Sequence, residues 1–455
     1  MSATHHYSAD SLIAIAFIDV AVMTGLSGAF GTVARRCRQP AVVGEIVAGI
    51  ALGPSLLGLL PGDLPHQLFP TAVLPYLNLL AQFGLALFMF GVGYELELTE
   101  LRGQSRDTAL VSTFSIAVPF LLGVPTGLLL YSGHSSVNGH RVEPLALALF
   151  AGSAMSITAF PVLARILTER GLARSRIGTL SLTCAAIGDF VAWCTLAVVV
   201  AVVAAGNSAR LVRTLGGSAV FLLVVVLVLR PGARWLVGTP WWRRQSRSTV
   251  LGVVLIGVLL CSGATALIGL HPVFGAFAFG IIAPRAQVEQ VTAGVGSTIE
   301  QMSTLLLPVF FIVTGLSVDL GSIGLAGVPS LLLVITVACA SKFVGAAGAA
   351  RLAGYDRRRA GAIGLLMNTR GLTELIILNI GLGLGVLDRA LFTILVIMAL
   401  VTTVMTGPLL DLVYPPLRQR QDAQDARDAA IPLAEPFPDH RTAVDAPLAP
   451  GAEVR

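Results

Sequence analysis

Runs of about 20 predominantly apolar residues recur along the chain from Ser11 to Tyr414, and a hydrocarbon core of ~30 Å is crossed by helices of that length. Phe221 to Leu229 reads FLLVVVLVL with no polar residue, so the alternation of a membrane-spanning β-strand is missing. Backbone N–H and C=O groups find no water inside a bilayer, and a helix satisfies them within its own span. The chain is therefore expected to be an all-α polytopic membrane protein. Composition agrees, since 55% of the 455 residues are hydrophobic and only 12% charged, about half the charged share of a soluble domain.

Charged and Pro/Gly-rich breaks divide the apolar region into about thirteen spans, at approximately 11–34, 41–60, 72–98, 108–131, 144–167, 177–204, 215–237, 248–268, 271–284, 298–318, 327–353, 359–384 and 389–413. With the N-terminus outside, twenty loop arginines face the cytoplasm and four, Arg141, Arg210, Arg213 and Arg389, face the other side. That asymmetry follows the positive-inside rule. It predicts a multi-pass protein of the cell membrane with an external N-terminus and a cytoplasmic C-terminus. The net charge of +5 thus reports topology, and the expected partner is membrane lipid, not nucleic acid. Residues 415–455, rich in Pro, Ala, Asp and Arg, read as a disordered cytoplasmic tail without a phosphate-binding loop. The N-terminus lacks the basic region of a signal peptide, so the first apolar run reads as a retained span. Cys37, Cys184, Cys194, Cys261 and Cys339 have neither disulfide nor zinc spacing and read as small core residues.

Ionisable side chains deep in an apolar span cost ~2.5–3.5 kcal/mol on insertion scales, which makes each a functional candidate. Asp189 lies in LSLTCAAIGDFVAWCTLAVVV and Lys342 in LLLVITVACASKFVGAAGAA, both near mid-span. Lys342 is the only lysine of the sequence, the other 29 basic residues being arginine. A compact ammonium shifts its pKa or forms a breakable pair with a carboxylate more readily than a guanidinium does. Asp189 fits a site where a proton and a cation compete, against the alternative of a hydrogen bond that only ties two helices.

The fifth span places Gly152, Ser153, Ser156 and Thr158 just before Pro161, and the twelfth contains Asn368, Thr369, Arg370, Gly371 and Glu374. Both are expected to be interrupted helices. Paired breaks free carbonyls and expose helix-dipole ends at the midplane, as transporter sites require. Arg370 and Glu374, four residues apart, are expected to neutralise each other in a structural pair. Glu45 near the cytoplasmic end of span two is a candidate cation guide, and His271 a candidate pH-sensitive group. Glu95, Glu97 and Glu100 read as a solvated helix end.

Six stretches carry a resemblance that covers the membrane region in order: Gln39–Gly58 (QPAVVGEIVAGIALGPSLLG), Phe83–Leu98 (FGLALFMFGVGYELEL), Ser156–Leu167 (SITAFPVLARIL), Ala185–Leu196 (AAIGDFVAWCTL), Leu270–Gly280 (LHPVFGAFAFG) and Met367–Gly381 (MNTRGLTELIILNIG). They resemble the cation:proton antiporter 2 family, above all its plant-type cation/H+ exchangers and Kef-like members. The resemblance implies an inverted-repeat Na+/H+ antiporter fold with two crossed, discontinuous helices. It implies core helices at about 108–204 and 327–413, dimer helices at about 11–98 and 248–318, a linker helix at about 215–237, and a homodimer. Asp189 then matches the family's cation- and proton-binding aspartate, and Lys342 its core lysine. Relatives often carry Asp, Asn or Gln before that aspartate; Gly188 stands here, which favours one proton per cation.

The expected activity is exchange of Na+ or K+ for H+, without cofactor and without enzymatic chemistry. Asp189 would hold the metal ion with oxygen from Ser156 and Thr158, and Lys342 would compensate charge. An alternative is a proton-driven exporter of an organic cation or drug. A remote one is an intramembrane aspartyl protease, which needs a second membrane aspartate and Gly-x-Gly-Asp where this chain has Ala186-Ile187-Gly188-Asp189.

Overall fold

Several helices start where the sequence supplies a cap or a proline. The Asp356, Asp388 and Ser246 side chains accept from backbone N–H groups of the first turns that follow them, and Pro144 and Pro272 open helices at the position where a missing N–H costs nothing. A computed structural model describes residues 9–37, 39–62, 64–95, 106–137, 139–173, 175–204, 208–284 and 295–415. Residues 416–455 of the expected tail, and the expected Glu97 and Glu100 helix end, lie outside the described residues.

The helices are α1 (Ala9–Arg36), α2 (Ala41–Leu52), α3 (Leu64–Leu68), α4 (Leu74–Glu95), α5 (Arg106–Leu130), α6 (Pro144–Ser156), α7 (Phe160–Glu169), α8 (Arg176–Ala204), α9 (Ser208–Val224), α10 (Arg230–Gly238), α11 (Arg247–Leu267), α12 (Pro272–Ile282), α13 (Val295–Leu316), α14 (Val328–Leu352), α15 (Arg357–Met367), α16 (Leu372–Gly383) and α17 (Arg389–Val413). A π-helical turn, Val225–Leu229, joins α9 to α10. A two-stranded hairpin, Ser136–Val137 with His140–Arg141, lies between α5 and α6. Among the described residues, 11 helical stretches are long and apolar enough to cross a membrane. Two of the thirteen expected spans differ from that pattern: the fifth is split into α6 and α7, and the ninth is the 11-residue α12.

Packing sorts the helices into two groups. In one, α4 packs on α12 and α13, α2 on α1 and α13, and α11 on α12. In the other, α5 packs on α6, α8 and α14, while α14 also meets α15 and α17. Small residues set the closest approaches. A Cβ on Gly315 of α13 would lie 2.6 Å from the Ile46 carbonyl oxygen and 2.6 Å from Gly49 Cα of α2, so α2 and α13 touch backbone to backbone. The groups meet along a seam with few polar ties. Asn379 Nδ2 donates to Thr314 Oγ1 at 2.9 Å, the Asp319 N–H to Thr393 Oγ1 at 3.1 Å, and Gln39 Nε2 to the Val404 carbonyl at 3.2 Å.

Candidate cation and proton site

Both expected interruptions are present. After Ser156 the backbone is extended through Ile157 and Ala159 before α7 begins, with Pro161 unable to continue the ladder from α6. After Met367 the chain leaves helix at Asn368 and re-enters it at Leu372. The two extended segments cross and bond each other: the Ala159 N–H donates to the Thr369 carbonyl at 3.0 Å, and Thr158 Oγ1 to the Met367 carbonyl at 2.7 Å.

An α-helix ends with four unpaired carbonyls, and at the end of α6 side chains satisfy all four. Ser156 Oγ donates to the Ser153 carbonyl at 2.8 Å. Arg370 donates through Nη1 to the Ala154 carbonyl and through Nη2 to the Met155 carbonyl, both at 2.6 Å. Lys342 Nζ donates to the Ser156 carbonyl and, at 2.9 Å, to the Ser115 carbonyl of α5. Two cations thus cover the negative end of the half-helix dipole.

Asp189 of α8 is 5% exposed, and its carboxyl is approached by the Thr373 hydroxyl and the Phe160 backbone N–H. Phe160 is the first residue of α7, so the carboxylate faces the positive end of one half-helix while Lys342 and Arg370 hold the negative end of the other. Glu374 Oε1 lies 3.2 Å from Arg370 Nη1, with both side chains inaccessible to solvent. The buried set of Asp189, Glu374, Lys342 and Arg370 sums to zero when all four are ionised, which limits the cost of charge in a low-dielectric interior. Several polar atoms stay without a partner: Asp189 Oδ1, Asn368 Oδ1, Glu374 Oε2 and Arg370 Nε. Each orphan costs about 1–3 kcal/mol, and three of the four are oxygens suited to a hard cation.

The sequence-derived candidates fall into two sets. Asp189, Lys342, Arg370, Glu374, Thr158, Ser156, Asn368 and Thr369 all belong to the crossing or the helices beside it. The Thr158 hydroxyl is engaged with Met367, that of Ser156 folds back on its own helix, and that of Thr369 donates to the Leu366 carbonyl at 2.8 Å. Lys342 is spent on carbonyls, with no ion pair to Asp189 among the described residues. Arg370 and Glu374 pair as expected, but across a helix start, since Arg370 lies in the extended segment and Glu374 in the first turn of α16. His271 is the N-cap residue of α12 and its Nδ1 is buried without a partner; it is in the other helix group. Glu45 also belongs to that group, on α2, whose Val42, Val43 and Ile46 border Arg370 and Gly371. Sequence reasoning missed Thr373, which faces Asp189, and Thr403, whose Oγ1 donates to the Arg370 carbonyl at 2.6 Å. A hydroxyl beside Glu374 in the interrupted span was the available signal for Thr373.

Residues 21–413 match the family described as sodium/hydrogen exchanger, transmembrane. The chain belongs to the sodium/hydrogen exchanger family. The exchanger is 41% identical over 401 residues to the Na(+)/H(+) antiporter NhaS4 of Synechocystis, covering 87% of this chain and 96% of that protein. It is 36% identical over 416 residues to Cation/H(+) antiporter 19 of Arabidopsis thaliana, covering 90% of this chain but 50% of the plant protein. The exchanger's fold is that of the sodium proton antiporter MjNhaP1 from Methanocaldococcus jannaschii, with a TM-score of 0.63 at 13% identity over 90% of this chain and 99% of that one. An inverted-repeat antiporter fold with two crossed, discontinuous helices is therefore the architecture of this multi-pass membrane protein.

Proposed function

We propose that the exchanger trades a monovalent cation, Na+ or K+, for a proton by alternating access, with both competing for Asp189. The observation that carries this reading is the Asp189 carboxyl beside two crossed half-helices, with Oδ1 unpartnered. An ionised Asp189 binds the cation through that oxygen; on the other face it releases the cation and takes a proton. The Thr373 hydroxyl orients the carboxyl, and the orphaned Asn368 Oδ1 is a second neutral oxygen on the crossing. Ser156 and Thr158 build the crossing, and their hydroxyl oxygens, which give their protons to carbonyls, keep lone pairs for the cation. Lys342 stabilises the end of α6 and supplies the positive charge that balances Asp189 when the site is empty.

Alternating access assigns the two helix groups different tasks. The group holding α5–α8 and α14–α17 carries the ion, and the group holding α1, α2, α4 and α11–α13 forms a homodimer interface, with α9 and α10 as linker. The arginine asymmetry supports an external N-terminus in a cell membrane. No enzymatic step is part of this cycle.

The test is ion-selective exchange in proteoliposomes. Asp189→Asn is expected to abolish Na+- or K+-driven proton flux while the variant still folds and reconstitutes; exchange at the unmutated rate would refute competition at Asp189. Comparing Na+, K+ and organic cations separates this reading from an organic-cation exporter, and imposing a membrane potential reads the stoichiometry.

A further inference from the structure

Two sulfur atoms meet beside the second interruption. Cys339 Sγ of α14 lies 3.8 Å from Met405 Sδ of α17, and Asn368 Nδ2, at the end of α15, lies 3.6 Å from the same Sγ. The Asn368 side chain belongs to a residue only 3% exposed, and its Oδ1 is buried without a partner. Half a turn about the terminal bond exchanges Nδ2 with Oδ1 and would aim that oxygen at the sulfurs. Three ligands from three helices then converge. Hard Na+ and K+ have no use for thiol and thioether sulfur, whereas soft monovalent ions select them. A separation of 3.8 Å suits two sulfurs bent about one ion with bonds of about 2.3 Å, the length of a metal–thiolate bond at zinc.

We propose that Cys339, Met405 and the Asn368 amide oxygen form a binding site for a soft monovalent cation of the Ag+ or Cu+ class, and that its occupation arrests exchange. On binding, the Cys339 thiol gives its proton to water and its sulfur bonds the metal, while Met405 donates a lone pair. No electron is transferred and the local charge is unchanged. The arrest follows from where Asn368 sits. It caps α15 at the interruption, and once its amide oxygen turns to the metal, the transported cation loses the second neutral oxygen that the crossing offers it. The arrest rests on the exchange reading above; the metal site does not.

Two measurements on the full chain keep the claims separate. In detergent, Ag+ supplied as nitrate in chloride-free buffer is counted per chain by elemental analysis after desalting. One strongly held Ag+ is expected to be lost in both Cys339→Ser and Met405→Leu. The Met405 variant is volume-conserving and keeps all five cysteines, so it removes the site without removing thiols. In proteoliposomes, Ag+ is expected to inhibit cation-driven proton flux, each variant raising the half-inhibiting concentration at least about tenfold, the scale on which metal sites respond to lost support. Uninhibited flux is expected to match the parent protein. Equal Ag+ binding in Met405→Leu and the parent would overturn the site. Ag+ bound at this site with flux unaffected would overturn the arrest, and a parent protein without cation-driven flux would refute the exchange reading while leaving the binding count decisive.

Discussion

The Thr158 hydroxyl donates to the Met367 carbonyl over 2.7 Å, and through that bond one interrupted helix holds the other at their crossing. Thr158→Val keeps the shape, deletes the donor and leaves a buried carbonyl orphaned, at a cost of about 1–3 kcal/mol. The expected result is a higher KM for the transported cation with a lowered Tm in detergent. An unchanged KM together with an unchanged Tm would mean the bond holds nothing that transport uses.

Lys342→Met removes the ammonium but keeps most of the apolar stem. The Ser115 and Ser156 carbonyls lose their donor, and hydrogen bonds to charged groups contribute about 1.5–3 kcal/mol each. Thermal unfolding followed by fluorescence is expected to show a lower Tm, and flux measured across a pH series a changed profile, because a positive charge near Asp189 has gone. Retention of both would place the lysine outside the working site.

A pH effect is expected at the mouth of the hairpin loop. His134 Nδ1 lies 2.7 Å from Asp388 Oδ2, and Asp388 Oδ1 accepts from the Leu391 N–H at 2.7 Å to cap α17. Burial pushes the Asp388 carboxyl up, but the His134 contact and the Leu391 and Ala390 N–H groups together outweigh it and hold the carboxyl below its usual range. A depressed carboxylate contributes stability that is complete above the unfolded pKa of about 4 and is lost as pH falls through the folded value. The Tm of the parent is thus expected to fall below pH 4 more steeply than that of Asp388→Asn, whose amide oxygen still caps the helix but carries no titrating charge. Parallel curves for the two proteins would contradict this account.

The seam between the helix groups is tied by Asn379 and Thr314. Alternating access needs such ties to form in one state and break in another. Thr314→Val removes a hydrogen bond of about 1 kcal/mol, which changes the ratio of the two states about fivefold. Apparent cation affinity measured separately from each side of the membrane is expected to change in opposite directions. Equal changes on both sides would show that the bond persists throughout the cycle.

The architecture was readable because bilayer physics leaves few options: apolar length specifies helices, and small or hydroxylated residues before Pro161 and around Gly371 mark where helices cannot run through. Arg370 and Glu374 were readable as a pair from their spacing alone. What spacing could not reveal is which distant carbonyl each donor would find. Lys342 meets Ser115 and Ser156, 227 and 186 residues away in sequence, and those acceptors are backbone atoms that any residue type supplies. The same limit hid Thr373 and Thr403, whose hydroxyls acquire meaning only from the groups facing them. Hydroxyls at Ser156 and Thr158 were expected as cation ligands on chemical grounds; their protons go to carbonyls, that of Ser156 to Ser153 on its own helix and that of Thr158 to Met367, 209 residues away in sequence.

Lys342 supplies the sequence's one lysine amine, and that amine is fully shielded. Reagents that acylate lysine therefore find no lysine target on the folded surface, and each lysine adduct they form records an excursion in which the core has parted. The protein carries a one-lysine chemical clock for its own opening, legible by mass without an engineered residue.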